Sequence, residues 1–120
     1  MVVGIGVDIV DVARFERAIE RTPRLADRLF GEAFEPDMPG VSLAARFAAK
    51  EATLKALGGH IPGFLWTDIQ VSGPKGHTPQ LTLTGSTQIR AQEREVSNHH
   101  LSLSHDGGMA IAFVVMETAA

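Results

Sequence analysis

The stretch Val3-Gly4-Ile5-Gly6-Val7-Asp8-Ile9 constrains this chain more than any other. Branched apolar residues alternate with glycines and then a carboxylate, which is the two-residue period of a strand. The branched face, Val3, Ile5, Val7 and Ile9, is expected to turn toward a core. The opposite face is bare backbone, so something can approach it closely. Asp8 either ends the strand and begins a turn or holds a group at its end; the spacing leaves both open.

A helix is predicted over Val12 to Arg21, with Asp11 as its N-cap. Val12, Phe15 and Ile19 form its apolar stripe. At 100° per residue, Arg14, Arg17 and Arg21 cluster on the opposite side, and Arg24 and Arg28 extend the basic character past Thr22-Pro23. Such a face is either solvated or a dock for an acidic partner.

Residues Gly31 to Gly40 carry Pro36, Pro39 and two glycines and read as a loop. The next helix is predicted over Ser42 to Leu57, with Ser42 as N-cap and Gly58-Gly59 as the stop. Leu43, Phe47, Leu54 and Leu57 make its apolar stripe. Lys50 projects into that stripe, and snorkelling, an acid partner and a subunit edge all remain open for it. Glu51 and Lys55 lie four apart on a neighbouring face, where Ala44 and Ala48 are expected to leave room beside them. As an ordinary helix pair they would contribute about 0.3–0.5 kcal/mol.

The second half reads as strands with one helix inserted. Thr67 to Ser72 and Gln80 to Thr84 are predicted strands, with a turn at Gly73-Pro74-Lys75-Gly76. A polar helix follows from Ser86 to about Val96, with Ile89 as its main apolar anchor. His100 to His105 and Met109 to Met116 flank Asp106-Gly107-Gly108, a tight hairpin signal. Leu101 and Leu103 point one way, Ser102 and Ser104 the other, and His105 sits just before the turn. Trp66 is expected in packing, and His99-His100 on the surface.

Composition narrows the function classes. The chain has no cysteine, which excludes disulfides, thiolate nucleophiles and Cys-based metal sites and accords with a cytoplasmic location. Lys and Arg total 11 against 14 Asp and Glu, a net charge of −3 that speaks against a nucleic-acid binder. The longest apolar runs fall far short of the roughly 20 residues of a membrane span, and no secretory signal is expected, since Asp8 and Asp11 interrupt the apolar N-terminus. One domain over 1–120 is expected, with a core small enough for assembly to help.

The N-terminal strand is followed some forty residues later by Arg46-Phe47-Ala48-Ala49-Lys50-Glu51-Ala52-Thr53-Leu54-Lys55-Ala56. Together they resemble the two-part signature of the 4′-phosphopantetheinyl transferases, G-x-D near the start and F-x-x-K-E-x-x-K-A on a helix. The short length and Leu101-Ser102-Leu103-Ser104-His105-Asp106 resemble the small bacterial type of that family, the holo-acyl-carrier-protein synthase type.

That resemblance implies an α+β fold with a small antiparallel sheet and a long motif helix, assembled as a homotrimer with active sites between subunits. It implies transfer of the 4′-phosphopantetheine arm of coenzyme A to a serine of apo acyl carrier protein, by default the carrier of fatty-acid synthesis. Asp8 and Glu51 are then the expected Mg²⁺ ligands, both hard oxygen donors. Glu51 is also the expected general base, directly or through a metal-bound water, and Lys55 the cation that reaches a phosphate oxygen. Arg46, Lys55, Gly58 and His105 are the expected coenzyme A contacts. Arg14, Arg17 and Arg21 are the expected dock for the acidic carrier. A non-catalytic module that binds coenzyme A or the carrier is the alternative; the presence of Asp8, Glu51 and Lys55 together stands against it.

Overall fold

The computed structural model describes residues 1–73 and 78–119. Strand β1 spans Val2–Asp11 and leads directly into helix α1, Val12–Arg21. Asp11 caps that helix as expected, its carboxylate accepting the Arg14 N–H at 2.9 Å. Helix α2, Pro23–Phe30, follows with proline in its first turn. The predicted loop contains a short 3₁₀ turn, Gly31–Ala33, before helix α3, Gly40–Ala56. A second 3₁₀ turn, Trp66–Asp68, leads into β2, Ile69–Ser72. Then come β3, Gln80–Leu83, helix α4, Gly85–Glu93, and the hairpin of β4, Asn98–Asp106, with β5, Met109–Glu117. The turn predicted at Gly73–Gly76 lies mostly outside the described residues.

Two antiparallel sheets result, β1-β5-β4 and β2-β3, so the α+β expectation holds. In the larger sheet Gly4 pairs with Met116, Gly6 with Val114 and Asp8 with Ala112. These residues share the face that α3 covers, and Ala112, Val114 and Met116 are fully buried there.

The face assignment for β1 is reversed relative to the sequence reading. Ile5, Val7 and Ile9 are more than half exposed, and the glycine face meets the core. The cause is the closeness of α3. A Cβ at Gly4 would lie 2.0 Å from the Ala56 carbonyl oxygen, and one at Gly6 would lie 1.8 Å from that of Ala52. No side chain fits that gap, so the element that approaches the bare backbone is the helix itself.

The same closeness corrects α3. Ala44 and Ala48 do not leave room beside Glu51 and Lys55; they are fully buried with Ala49 and Ala52. Ser42 is not the N-cap, because the helix starts two residues earlier, after Pro39, with no side-chain cap. Ile89 does not anchor α4 and is 59% exposed. Thr87 and Ala91 are buried instead, and the Thr87 hydroxyl donates to the carbonyl of Asp68 at 2.7 Å. Trp66 packs as expected, its ring 5.5 Å from that of Phe47 and 5.1 Å from that of Phe64.

Candidate active site

β1 and α3 bring the two halves of the sequence signature together. With the glycine face seated on the helix, Lys55 reaches across and its Nζ donates to the Val7 carbonyl at 3.0 Å and to Asp8 Oδ1 at 3.1 Å. Lys55 therefore pairs with Asp8 rather than forming the simple helix pair with Glu51. The Asp8 side chain is only 12% exposed, and its second oxygen, Oδ2, is buried without a donor.

Glu51 stands beside this carboxylate. Burial raises the Glu51 carboxyl above its ordinary range, and the Asp8 charge raises it further; Lys55 and Arg14 pull it back. Two adjoining carboxylates, one with an orphaned oxygen, suit a hard cation. No third His, Asp or Glu joins them among the described residues, so water or a substrate oxygen would complete the shell.

Glu51 divides two cavities. One, of about 610 Å³, lies among β1, α1, α2 and α3 and is walled by Asp8, Arg14, Arg28, Phe47 and Trp66. The other, of about 580 Å³, is walled by Leu54, Lys55, Gly59, His60, Ile61 and Phe64. The first combines an apolar floor with two guanidinium groups at its rim; the second combines apolar walls with one ammonium.

The remaining sequence candidates scatter. Arg17 and Arg21 are exposed on α1 with Arg14, but of the three only Arg14 walls either of these two cavities. Arg46 lies one turn before Lys50 on α3, and its charge bears on that buried lysine. Gly58 has a φ of 97°, and a Cβ there would lie 2.2 Å from the guanidinium of Arg94. His105, on the edge strand β4, pairs with Ala110 and walls neither cavity.

Sequence reasoning missed Arg28 as a wall residue and missed His60, Ile61 and Phe64 altogether. The segment after Gly59 has no period to read; only its position against α3 makes it a wall. Lys50 resolves into none of the three readings left open. It is buried and unpaired by any acid among the described residues, and it donates to the carbonyls of Trp66 and Ile69. Burial, with repulsion from Arg46, pushes its ammonium down to about 8. His99 and His100 divide: His100 meets Glu117 at 2.5 Å, while burial and the neighbouring His100 lower His99.

The described residues contain no helix long and apolar enough to cross a membrane. Residues 4–114 match the model of the 4′-phosphopantetheinyl transferase superfamily. The chain is 54% identical to a holo-[acyl-carrier-protein] synthase of Kocuria rhizophila, over 98% of this chain and 94% of that protein. It is 51% identical to one of Leifsonia xyli, over 98% of each. Its fold is similar to that of the Helicobacter pylori holo-[acyl-carrier-protein] synthase solved in complex with coenzyme A, with a TM-score of 0.77 and 31% identity over 94% of this chain and 99% of that one. A glycine-faced strand and a motif helix that join Asp8, Glu51 and Lys55, in a chain so closely related over nearly its whole length, place it among the holo-[acyl-carrier-protein] synthases of the 4′-phosphopantetheinyl transferase superfamily.

Proposed function

We propose that this chain moves the 4′-phosphopantetheine group of coenzyme A to a serine hydroxyl of apo acyl carrier protein. The observation that carries the reading is the meeting of Asp8, Glu51 and Lys55 at the wall between two cavities. Two substrates must meet at one phosphorus, and two cavities that share a carboxylate suit that task.

The serine Oγ forms a bond to the phosphorus that carries pantetheine. The bond from that phosphorus to the bridging oxygen breaks, and adenosine 3′,5′-bisphosphate leaves. Glu51 takes the serine proton; a carboxyl raised by burial is a better base than an ordinary one. Lys55 supplies an ammonium for a phosphate oxygen, and its tie to Val7 and Asp8 holds it at the cavity wall until then. Arg14, at the rim of the other cavity, meets the acidic surface of the carrier, with Arg17 and Arg21 extending the field.

Asp8 and Glu51 would hold Mg²⁺, which when bound neutralises the pyrophosphate and polarises the phosphorus. The donorless Asp8 Oδ2 is the feature of this chain that fits such an ion.

The same reading extends to assembly. Ile5, Val7, Ile9 and Phe113 leave an apolar strip on the outer face of the large sheet. Covering it with neighbouring copies in a homotrimer would remove it from water. A neighbour would also supply His105, which walls neither cavity of its own chain, to the coenzyme A phosphates. A cytoplasmic location accords with the cysteine-free sequence.

The test is kinetic. Asp8→Ala and Glu51→Ala should each cut transfer about 10³-fold while melting as cooperatively as the unmodified protein, and chelation of Mg²⁺ should do the same. Near-normal turnover of Glu51→Gln at ordinary Mg²⁺ would remove both roles assigned to it.

A further inference from the structure

Lys50 is the odd residue of α3. It is 2% exposed, yet it carries an ammonium. That ammonium donates to the Trp66 carbonyl at 2.9 Å and to the Ile69 carbonyl. It also lies 5.6 Å from the centroid of the Phe30 ring. A cation is buried only at a cost, and its hydrogen bonds say what it holds. Trp66 opens the 3₁₀ turn and Ile69 follows its last residue, so one ammonium grips both ends of that turn.

The turn carries a wall. Trp66 borders the cavity that also holds Asp8, Arg14 and Glu51. Phe64 meets Trp66 edge-on and borders the cavity that holds Lys55. Both hydrogen bonds of the Lys50 ammonium run to backbone carbonyls, so Lys50 acts through the turn it holds.

We infer that Lys50 is a positioning residue for the transfer: its ammonium fixes the Trp66–Ile69 turn on α3 and so sets the walls of the substrate cavities on either side of Glu51. This rests on the transfer reaction proposed above.

Trp66 is the only tryptophan and there is no tyrosine, so intrinsic fluorescence reports this turn directly. Lys50→Met keeps the length of the side chain and removes the ammonium. The variant leaves the Trp66 and Ile69 carbonyls without their donor, so it should melt lower than the unmodified protein, and the emission and KM readings decide what the lysine does. Its Trp66 emission should shift. The KM for coenzyme A and for apo carrier should each rise about fivefold, with kcat changed less than about twofold. A lower melting temperature with unchanged emission and unchanged KM values would overturn the inference, since that is what a purely structural lysine gives.

If Lys50→Met does not fold, Lys50→Gln, whose amide ends one atom short of the ammonium, is read in the same way, and unchanged emission and KM there overturn it equally. Coenzyme A added to the unmodified protein should change Trp66 emission; a flat titration would show that the turn walls no substrate cavity. The emission readings need no turnover. Failure of the unmodified protein to transfer would therefore count against the proposed reaction, and an unshifted Lys50→Met spectrum against Lys50.

Discussion

Lys55 and Asp8 stand 47 residues apart in the sequence and 3.1 Å apart in the fold. The pair ties the motif helix to the N-terminal strand and leaves the far oxygen of Asp8 buried without a donor. Lys55→Met removes the ammonium from which Asp8 Oδ1 accepts. It should lower stability by about 1 kcal/mol, because a poorly solvated acceptor loses its partner. It should also lower kcat by about 10²-fold, because a cation at the phosphate is gone. Thermal melts and initial rates measured on one preparation check both. A variant with unchanged stability would mean that the ion pair contributes nothing to the fold.

The glycine face gives a steric prediction. Gly6→Ala would place a Cβ 1.8 Å from the Ala52 carbonyl oxygen, and backbone on both sides prevents an easy escape. The loss should reach about 3 kcal/mol. Denaturant midpoints measure it. Because Asp8 lies on the same face two residues on, folded Gly6→Ala protein should also lose transfer.

Glu51 gives a pH prediction. Burial first, and Asp8 second, raise its carboxyl in the folded state. A raised group favours folding in its protonated form. That contribution is complete below the ordinary carboxylate value and is lost as pH rises through the raised one. Glu51→Gln removes this dependence, so it should melt higher than the unmodified protein at pH 7 and lose that advantage as the pH falls into the carboxylate range. The acid limb of kcat/KM should lie above the ordinary glutamate value. A Glu51→Gln advantage that persists unchanged in acid would show that the Glu51 carboxyl is not raised.

How much of this was legible in the sequence depends on the kind of order involved. The bounds of α1, the Asp11 cap and the β4–β5 hairpin follow from local rules and hold, whereas β1 runs beyond the Val3 to Ile9 of the sequence pattern, over Val2–Asp11. The direction in which β1 faces does not follow from such rules. Alternation reveals two faces, but which one is the core depended on whether α3 sits on side chains or on bare backbone, a tertiary fact. Asp8, Glu51 and Lys55 were legible because a two-part motif joins them, although the partner of Lys55 was not. Ile89 failed as an anchor because α4 is held by polar groups: Thr87 on the Asp68 carbonyl, and Arg90 on the carbonyls of Leu57 and His60.

Arg14 gives an electrostatic prediction. It borders the cavity beside Asp8, while Arg17 and Arg21 lie on the exposed helix beyond. Exposed pairs contribute only about 0.2–1 kcal/mol each, so the arginines act as a field. Arg14→Glu should raise the KM for the acidic carrier about tenfold and the KM for coenzyme A by much less, with the difference shrinking at high salt. Equal effects on both substrates would make the arginines a solvated face.

The outer strip of the sheet gives a prediction about assembly. Val7→Glu introduces a charge among Ile5, Ile9 and Phe113 and points away from α3, so the monomer fold should survive. Light scattering should find a trimer before the change and a monomer after it, with transfer lost in parallel. A fully active monomer would remove the shared site and the role of a neighbour's His105.

The most direct measurement is the mass of the carrier itself. Apo acyl carrier protein incubated with this chain, coenzyme A and Mg²⁺ should gain the mass of one phosphopantetheine group on one serine, with adenosine 3′,5′-bisphosphate released in equal amount. Glu51→Gln should give almost none. A carrier whose mass does not change with the unmodified chain, though a known transferase modifies the same preparation, would contradict the account.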